Sequence, residues 1–250
     1  MPKMKKTLEF LIAIAIYIGI FYFVMLRSLG TKLDFSSYVD YRKVLFAGWL
    51  RTIEVSLLGV FLSLFVGLVI YFMQESKIGI VRNLAGIHKT IIFGTPLIVI
   101  AIVAYYYIGF AFGINSKMFI GVVTLGLYIG AYIADIYKGA IESIHLNQWQ
   151  TAKMFGFSKY QTYRYIIFPQ VLKSILPPLA GQFAQTIKGS ALLSYMALNE
   201  FLNEVNVVQA NSFRTMEGFI VLSLGYWLIT VPLIVMVRKF EEKLHIHVVA

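Results

Sequence analysis

Nothing limits this chain more than six long stretches that carry almost no charge. They run from Leu8 to Leu26 and from about Trp49 to Met73, Thr90 to Phe112, Met118 to Tyr137, Ile175 to Ala197 and Gly218 to Val237. Each holds about 20 residues, enough at about 1.5 Å per residue to cross a hydrocarbon core of ~30 Å as a helix. Little is left for a soluble domain, and no internal repeat or low-complexity tract is visible. The expected fold is all-α, a polytopic transmembrane helical bundle with six spans. Composition agrees: 59% of the residues are hydrophobic and only 14% charged, where a soluble domain has about half and about a quarter. With no cysteine, disulfides and thiolate metal sites drop out. The formal charge of +10 would suit a nucleic-acid ligand if it were clustered. It is scattered between apolar runs, which is the pattern of a topology signal.

Orientation follows from counting. Lys3, Lys5 and Lys6 precede the first run, which is longer than a signal-peptide core and is followed by no small-x-small cleavage site. It reads as a retained helix that enters from the cytoplasm. With the N-terminus inside, 14 of the 22 Lys and Arg residues fall on cytoplasmic segments, seven outside and one, Lys188, within a span. Both termini are then cytoplasmic. Residues 1–45 form an N-terminal helix with its outer loop, and residues 46–250 form the remaining bundle. Asn199 to Glu217, with Glu200, Glu204 and Glu217 against Arg214, reads as another outer loop.

The longest polar segment, Gly139 to Pro169, falls on the cytoplasmic side. Two helix starts are written into it. Asn147 precedes Gln150, and Ser158 precedes Gln161, at the spacing of a capping box. Gly156 lies between them, where a left-handed residue can end the first helix. Pro169 should limit the second. Two short helices at an angle result, of about eight and about ten residues. Trp149, Ala152 and Phe155 share roughly one face of the first, with Phe157 at the turn. Such a helix suits a groove on another protein; it equally suits rest on the membrane surface or under its own bundle.

The spacing resembles the EAA loop of the membrane subunits of ATP-binding-cassette importers, EAA-x3-G-x9-I-x-LP. Gln150, Thr151 and Ala152 stand at the EAA positions, then Gly156, Ile166, Phe168 and Pro169. The flanks are similar to polar amino-acid permeases: Ala131-Tyr132 with Asp135 and Lys138-Gly139-Ala140-Ile141, then Pro169-Gln170, Leu176-Pro177-Pro178-Leu179 and Gly94-Thr95-Pro96. Lys188-Gly189-Ser190-Ala191-Leu192 occupies the place of KDTSL without its Asp and Thr. The resemblance covers Phe46 to His245. It implies that segment 139–170 is a coupling loop docking on separate ABC ATPase subunits through Trp149, Gln150, Thr151, Ala152, Phe155, Gly156, Phe157 and Pro169. It also implies a second permease subunit, identical or a sister chain, an extracytoplasmic substrate-binding protein, and a small polar amino acid as substrate. The location implied is the bacterial cytoplasmic membrane.

Residues that could carry chemistry are few. No G-x4-GK[ST] pattern is present, so ATP and Mg belong on a partner and no cofactor is expected in this chain. Neither a hydrolase constellation nor a metal site is expected from His88, His145, His245 and His247. In the fifth run Pro177 and Pro178 suit a first turn. Gln182, Gln185 and Gly189 then form a polar and small stripe bordered by Lys188 and Ser190. A lysine near mid-membrane costs at least about 2.5 kcal/mol unless it meets water or a partner. The stripe therefore lines a translocation pathway or a contact with a second copy, or else Lys188 pairs with a carboxylate. Glu54 and Asp135, the acidic residues within spans, read as interfacial charges. Gly94, Thr95 and Pro96 break the third run, either opening backbone toward a cavity or making a simple kink. Tyr105, Tyr106 and Tyr107 read as interface anchors. The function expected is the permease subunit of an ATP-driven importer; an ATPase-independent carrier or a helical scaffold is the rival class.

Overall fold

The structure, a computed structural model, describes residues 2–29 and 33–243. Two units separate along the chain. The first, Met1–Ser36, contains helix α1 (Pro2–Leu29), with its apolar run at Leu11–Phe23. The second, Ser37–Ala250, takes in all but the first residue of the short helix α2 (Ser36–Asp40) and holds the remaining helices. No strand occurs among the described residues.

The second unit is built on one helix pair, α3 (Arg42–Gln74) and α6 (Lys117–Glu142). Thr52, Ser56, Gly59, Ser63 and Gly67 are buried along one face of α3, and Gly126 and Gly130 face them from α6. A methyl group on Gly67 would lie 2.7 Å from Ile133 Cγ2, and one on Gly130 2.7 Å from Val66 Cγ1. Lipid offers no hydrophobic drive to bring helices together. Small residues that let backbones approach supply the packing instead. The apolar side chains of α3, Phe61, Phe65 and Phe72 among them, point outward.

The third run is not one span. Helix α4 (Gly79–Gly94) and helix α5 (Leu97–Val103), which continues as a π-helical turn through Ala104–Gly109, meet at an angle of 112°. Thr95 is extended at φ −125° and ψ 128°, and Pro96 caps α5. Proline drives the preceding residue out of the helical region and has no N–H to offer. The break is thus a sharp turn, far beyond a kink. Beyond it Leu97 and Ala101 pack with Leu125, Leu193 and Met196.

The polar segment also departs from expectation. Helix α7 (Leu146–Met154) begins at His145, with no side-chain cap, so the Asn147–Gln150 box does not form. After it, α8 (Lys159–Gln161), a π-helical turn (Thr162–Ile167) and α9 (Phe168–Ser190) run on as one helical path. Pro169 therefore does not stop a helix but sits in the first turn of α9, and Pro177 and Pro178 lie inside that helix instead of starting one. The π turn widens the backbone just before Pro169, the kind of local adjustment by which helices admit proline. A 3-10 turn, Ala191–Met196, ends this path.

The expected outer loop from Asn199 to Glu217 is largely a helix, α10 (Phe201–Ser212), followed by α11 (Thr215–Lys243). Phe201, Val205 and Val208 recur at helical spacing and are buried with Tyr38, Leu45 and Leu222. That apolar face outweighed the charge of the segment. Helix α6 defines two ends of the bundle. At its start Lys117 Nζ donates to the Ala197 carbonyl at 2.9 Å, beside α10. At its finish Lys138 pairs with Glu75 at 3.8 Å and Glu142 at 3.7 Å, beside α7. Among the described residues α3, α6 and Thr215–Val237 of α11 are long and apolar enough to cross a membrane, and the bent α4–α5 pair passes the same test only when its two halves are taken together. Helix α9 has the length but carries Lys173, Gln182, Gln185 and Lys188.

Candidate coupling surface and pathway helix

Helix α7 is held from one side only. Ala152 is 1% exposed, and Trp149 packs on a core of Ala140, Ile167 and Val171. The Trp149 ring also meets the edge of Tyr163, with centroids 5.1 Å apart. The end of α7 is closed by backbone. Gly156 takes φ +74°, its N–H donates to the Lys153 carbonyl at 3.0 Å, and the Phe157 N–H donates to the Ala152 carbonyl at 3.0 Å. These are the two bonds of a Schellman motif, and the left-handed position calls for glycine. The chain then turns straight into the second start signal. Ser158 N–H donates to Gln161 Oε1 at 2.8 Å and Gln161 N–H to Ser158 Oγ at 3.3 Å, a complete capping box.

The two locks fix the angle between α7 and α8 and leave the other face open. Gln150, Thr151, Gly156 and Pro169 are exposed. Met154 is 86% and Phe155 78% exposed, and Leu146 and Tyr160 are exposed with them. The apolar face expected of Trp149, Ala152 and Phe155 is therefore split. Trp149 and Ala152 turn inward, while Phe155, at the C-cap where helical geometry ends, turns out with Met154. Phe157 is less exposed than either.

The stripe on α9 is split as well. Gln185 and Lys188 are exposed and Gln182 is half-buried. Gly189 and Ser190 face inward, and Ser190 Oγ donates to the Ile187 carbonyl at 2.8 Å. A methyl group on Gly189 would lie 3.1 Å from Leu97 Cδ2. Gly189 thus joins α9 to the residue after Pro96, whereas Gly94 and Pro96 themselves are exposed and Thr95 half-buried. Lys188 has no ion-pair partner among the described residues. The acidic residues within spans are engaged elsewhere: Glu54 with Arg51 at 3.6 Å, and Asp135 with Lys89. An ammonium and two amides presented along a helix of a membrane bundle call for water or a partner beside them.

Of the histidines, His88 lies 3.3 Å from the Leu127 carbonyl through Nε2, and His145 precedes α7; His245 and His247 lie outside the described residues. No metal-binding group occurs among the described residues. Tyr106 and Tyr107 are exposed on the π turn, and Tyr105 packs against the core.

One polar centre escaped the sequence reading. Glu200 is 0% exposed and caps α10. Its Oε2 accepts from Thr52 Oγ1 at 3.1 Å, Leu202 N–H at 3.0 Å and Tyr226 O–H at 3.0 Å, and its Oε1 from Asn203 N–H at 2.9 Å. One carboxylate so joins α3, α10 and α11. Burial pushes its pKa up to about 7, against the pull of its four donors. The signal was present: Glu200 stands just before the i, i+4, i+7 run of Phe201, Val205 and Val208.

Long apolar helices, with a short helix locked at a fixed angle at one end and large apolar side chains turned outward, define a class: a membrane-embedded helical protein with an exposed corner. Comparison narrows the class. Residues 59–246 match the family of binding-protein-dependent transport system inner membrane components. The probable amino-acid ABC transporter permease protein YckA of Bacillus subtilis is 32% identical over 77% of this chain and 85% of its own. The glutamine transport system permease protein GlnP of Escherichia coli is 30% identical over 86% of this chain and 99% of its own. A crystal structure of an amino acid ABC transporter with histidines superposes with a TM-score of 0.78 at 28% identity, over 85% of this chain and 100% of that one. The MetNI methionine ABC transporter, at 15% identity and a TM-score of 0.62, shares the fold. This chain belongs to the binding-protein-dependent transport system inner membrane component family, and is a multi-pass helical membrane protein of the ABC permease type.

Proposed function

We propose that this chain is the permease subunit of an ATP-driven importer of polar amino acids, and that the α7–α8 corner receives a separate ATPase subunit. The observation that carries this reading is the exposed Met154 and Phe155 on a corner fixed by two consecutive backbone locks. A rigid corner passes on a push, whereas a flexible loop would absorb it. ATP with its Mg sits on the ATPase, and closure of two ATPase subunits drives two permease subunits between outward and inward access. An extracytoplasmic binding protein delivers the substrate at the α10 end. Six spans with both termini in the cytoplasm place α7 on the side of the ATPase. On α9 the half-buried Gln182 and the exposed Gln185 and Lys188 line the pathway, with the Gly94-Thr95-Pro96 turn beside the inward-facing Gly189 and Ser190. The substrate class rests on the names of the relatives.

Reconstituting the full chain with its co-purifying ATPase and binding protein tests the reading. Wild type should import amino acid only when ATP is supplied. Gly156→Asp should insert into the membrane normally yet fail to couple ATP hydrolysis to uptake; a variant that imports at the normal rate and still holds its ATPase sinks the coupling role. Lys188→Ala should slow uptake without loss of assembly, and unchanged uptake would remove Lys188 from the pathway. Uptake by the chain alone, driven by an ion gradient, would favour a carrier.

A further inference from the structure

The Glu200 centre has one property that its capping role does not need. Thr52 Oγ1 lies within reach of two acceptors, Glu200 Oε2 at 3.1 Å and the Gly48 carbonyl at 3.3 Å, while it accepts from Phe201 N–H at 3.0 Å. A hydroxyl has one proton to give. With Glu200 ionised, four donors converge on its two oxygens and Thr52 turns toward it. With Glu200 protonated, the new O–H must itself find an acceptor, and Thr52 can turn its proton to Gly48. Thr52 Oγ1, its own proton given to Gly48, can then accept the Glu200 O–H, so neither state orphans a donor of this centre. We propose that Glu200 is a proton-binding site, and that loss of the proton loosens the junction by which α10 is held between α3 and α11.

The surroundings of Glu200 fit a site that takes up a proton rather than a fixed charge. From α3 it meets Thr52, and the charged Arg51 and Glu54 of that helix are exposed and paired with each other. From its own helix Glu204, one turn on, is buried and accepts from Asn199 Nδ2 at 3.0 Å. From α11 it meets Tyr226, while Glu217 lies at the start of that helix, near Tyr38 of α2. Among the described residues no cation contacts Glu200. A buried carboxylate with hydroxyl and backbone donors but no counter-ion holds its proton to higher pH than usual. The junction also carries its own reporter. Trp49 Nε1 donates to the Gly225 carbonyl at 2.9 Å, one turn from Thr52 and next to Tyr226, and so bridges α3 and α11.

The test is fluorine NMR of the full chain in lipid nanodiscs, with every tryptophan carrying a 5-fluoro group and the Trp49 resonance assigned by its loss in Trp49→Phe. That resonance should titrate with a midpoint near pH 7. The step should vanish in Glu200→Gln, which separates it from titration of the histidines. Tyr226→Phe removes one donor to the carboxylate and should raise the midpoint by roughly one unit. If Glu200→Gln does not fold, the direction of the Tyr226→Phe shift decides. A Trp49 resonance that is constant from pH 5 to 9, a step that persists in Glu200→Gln, or a midpoint that Tyr226→Phe lowers or leaves in place would overturn the proposal. None of these readouts depends on transport, so the function proposed above can fail independently.

Discussion

The two ends of α6 are finished in opposite ways. At the α10 end, polar groups are gathered inward: Glu200 binds three helices together, the Trp49 indole bridges two, and the Tyr38 hydroxyl donates to the Arg214 carbonyl at 2.7 Å. Glycines let the elements close on one another there. At the α7 end the bonds that shape the α7–α8 corner are local, joining residues three to five apart, and large apolar side chains face out. One end satisfies its own chemistry and the other is left open. A chain that spends its polar contacts internally at one end and leaves an apolar corner at the other accords with the proposal that a partner is received at that second end.

If this contrast is right, damage at the α10 end should register as lost stability and damage at the α7 end as lost partnership. Glu200→Ala should be the most severe change. It strips the acceptor from two backbone N–H groups and two buried hydroxyls, at a cost of about 4 kcal/mol. Thermal unfolding of the purified chain in detergent would show it, and a midpoint within a degree of wild type would show that the centre holds nothing together. The same carboxyl makes stability depend on pH. Its folded pKa, about 7, lies above its ordinary value of 4.5. Below pH 4.5 both folded and unfolded chains hold the proton and the contribution is complete. As pH rises toward 7 the unfolded chain ionises first, and roughly 3 kcal/mol is lost. The difference between wild type and Glu200→Gln, measured from pH 4.5 to 8, should isolate that slope. Gly225→Ala comes next: its methyl would lie 2.1 Å from Cε1 of the buried Phe201 ring. Forcing that ring aside should cost about 2 kcal/mol.

How much of this contrast was legible in the sequence depends on the kind of signal. Long apolar runs marked α3, α6 and α11, because helix length against bilayer thickness is a one-dimensional test. Gly156 and the Ser158–Gln161 box were legible because capping is local and each partner lies within a few residues. The Asn147–Gln150 box has the same spacing and did not form, since α7 starts two residues too early for Asn147 to cap it. Pro96 and Pro169 carry the same local penalty with opposite outcomes. Before Pro96 the chain extends and bends by 112°, while before Pro169 a π turn absorbs the misfit and the helix goes on. Spacing does not reveal which relief the surroundings permit. Glu200 was missed for a related reason: its partners Thr52 and Tyr226 lie 148 and 26 residues away, and a count of charges in a presumed loop hides a buried one.

The smallest energetic effects fall at the α7 end, and they discriminate most sharply. Gly156→Ala places a Cβ at φ +74° in otherwise open space, so strain alone should cost about 1 kcal/mol. Phe155→Ser should cost less still. The ring is 78% exposed, so its removal should change the stability of the isolated chain by no more than about 0.5 kcal/mol. If the corner receives an ATPase, however, that ring is an aromatic anchor at an interface, where truncation typically weakens binding by about 1–3 kcal/mol. Co-purification with the ATPase and ATP-dependent uptake should then fall roughly tenfold or more, while the unfolding midpoint stays in place. Equal losses in stability and binding would mean that Phe155 supports α7 rather than meeting a partner. No loss in either would mean that the open face of α7 rests against lipid.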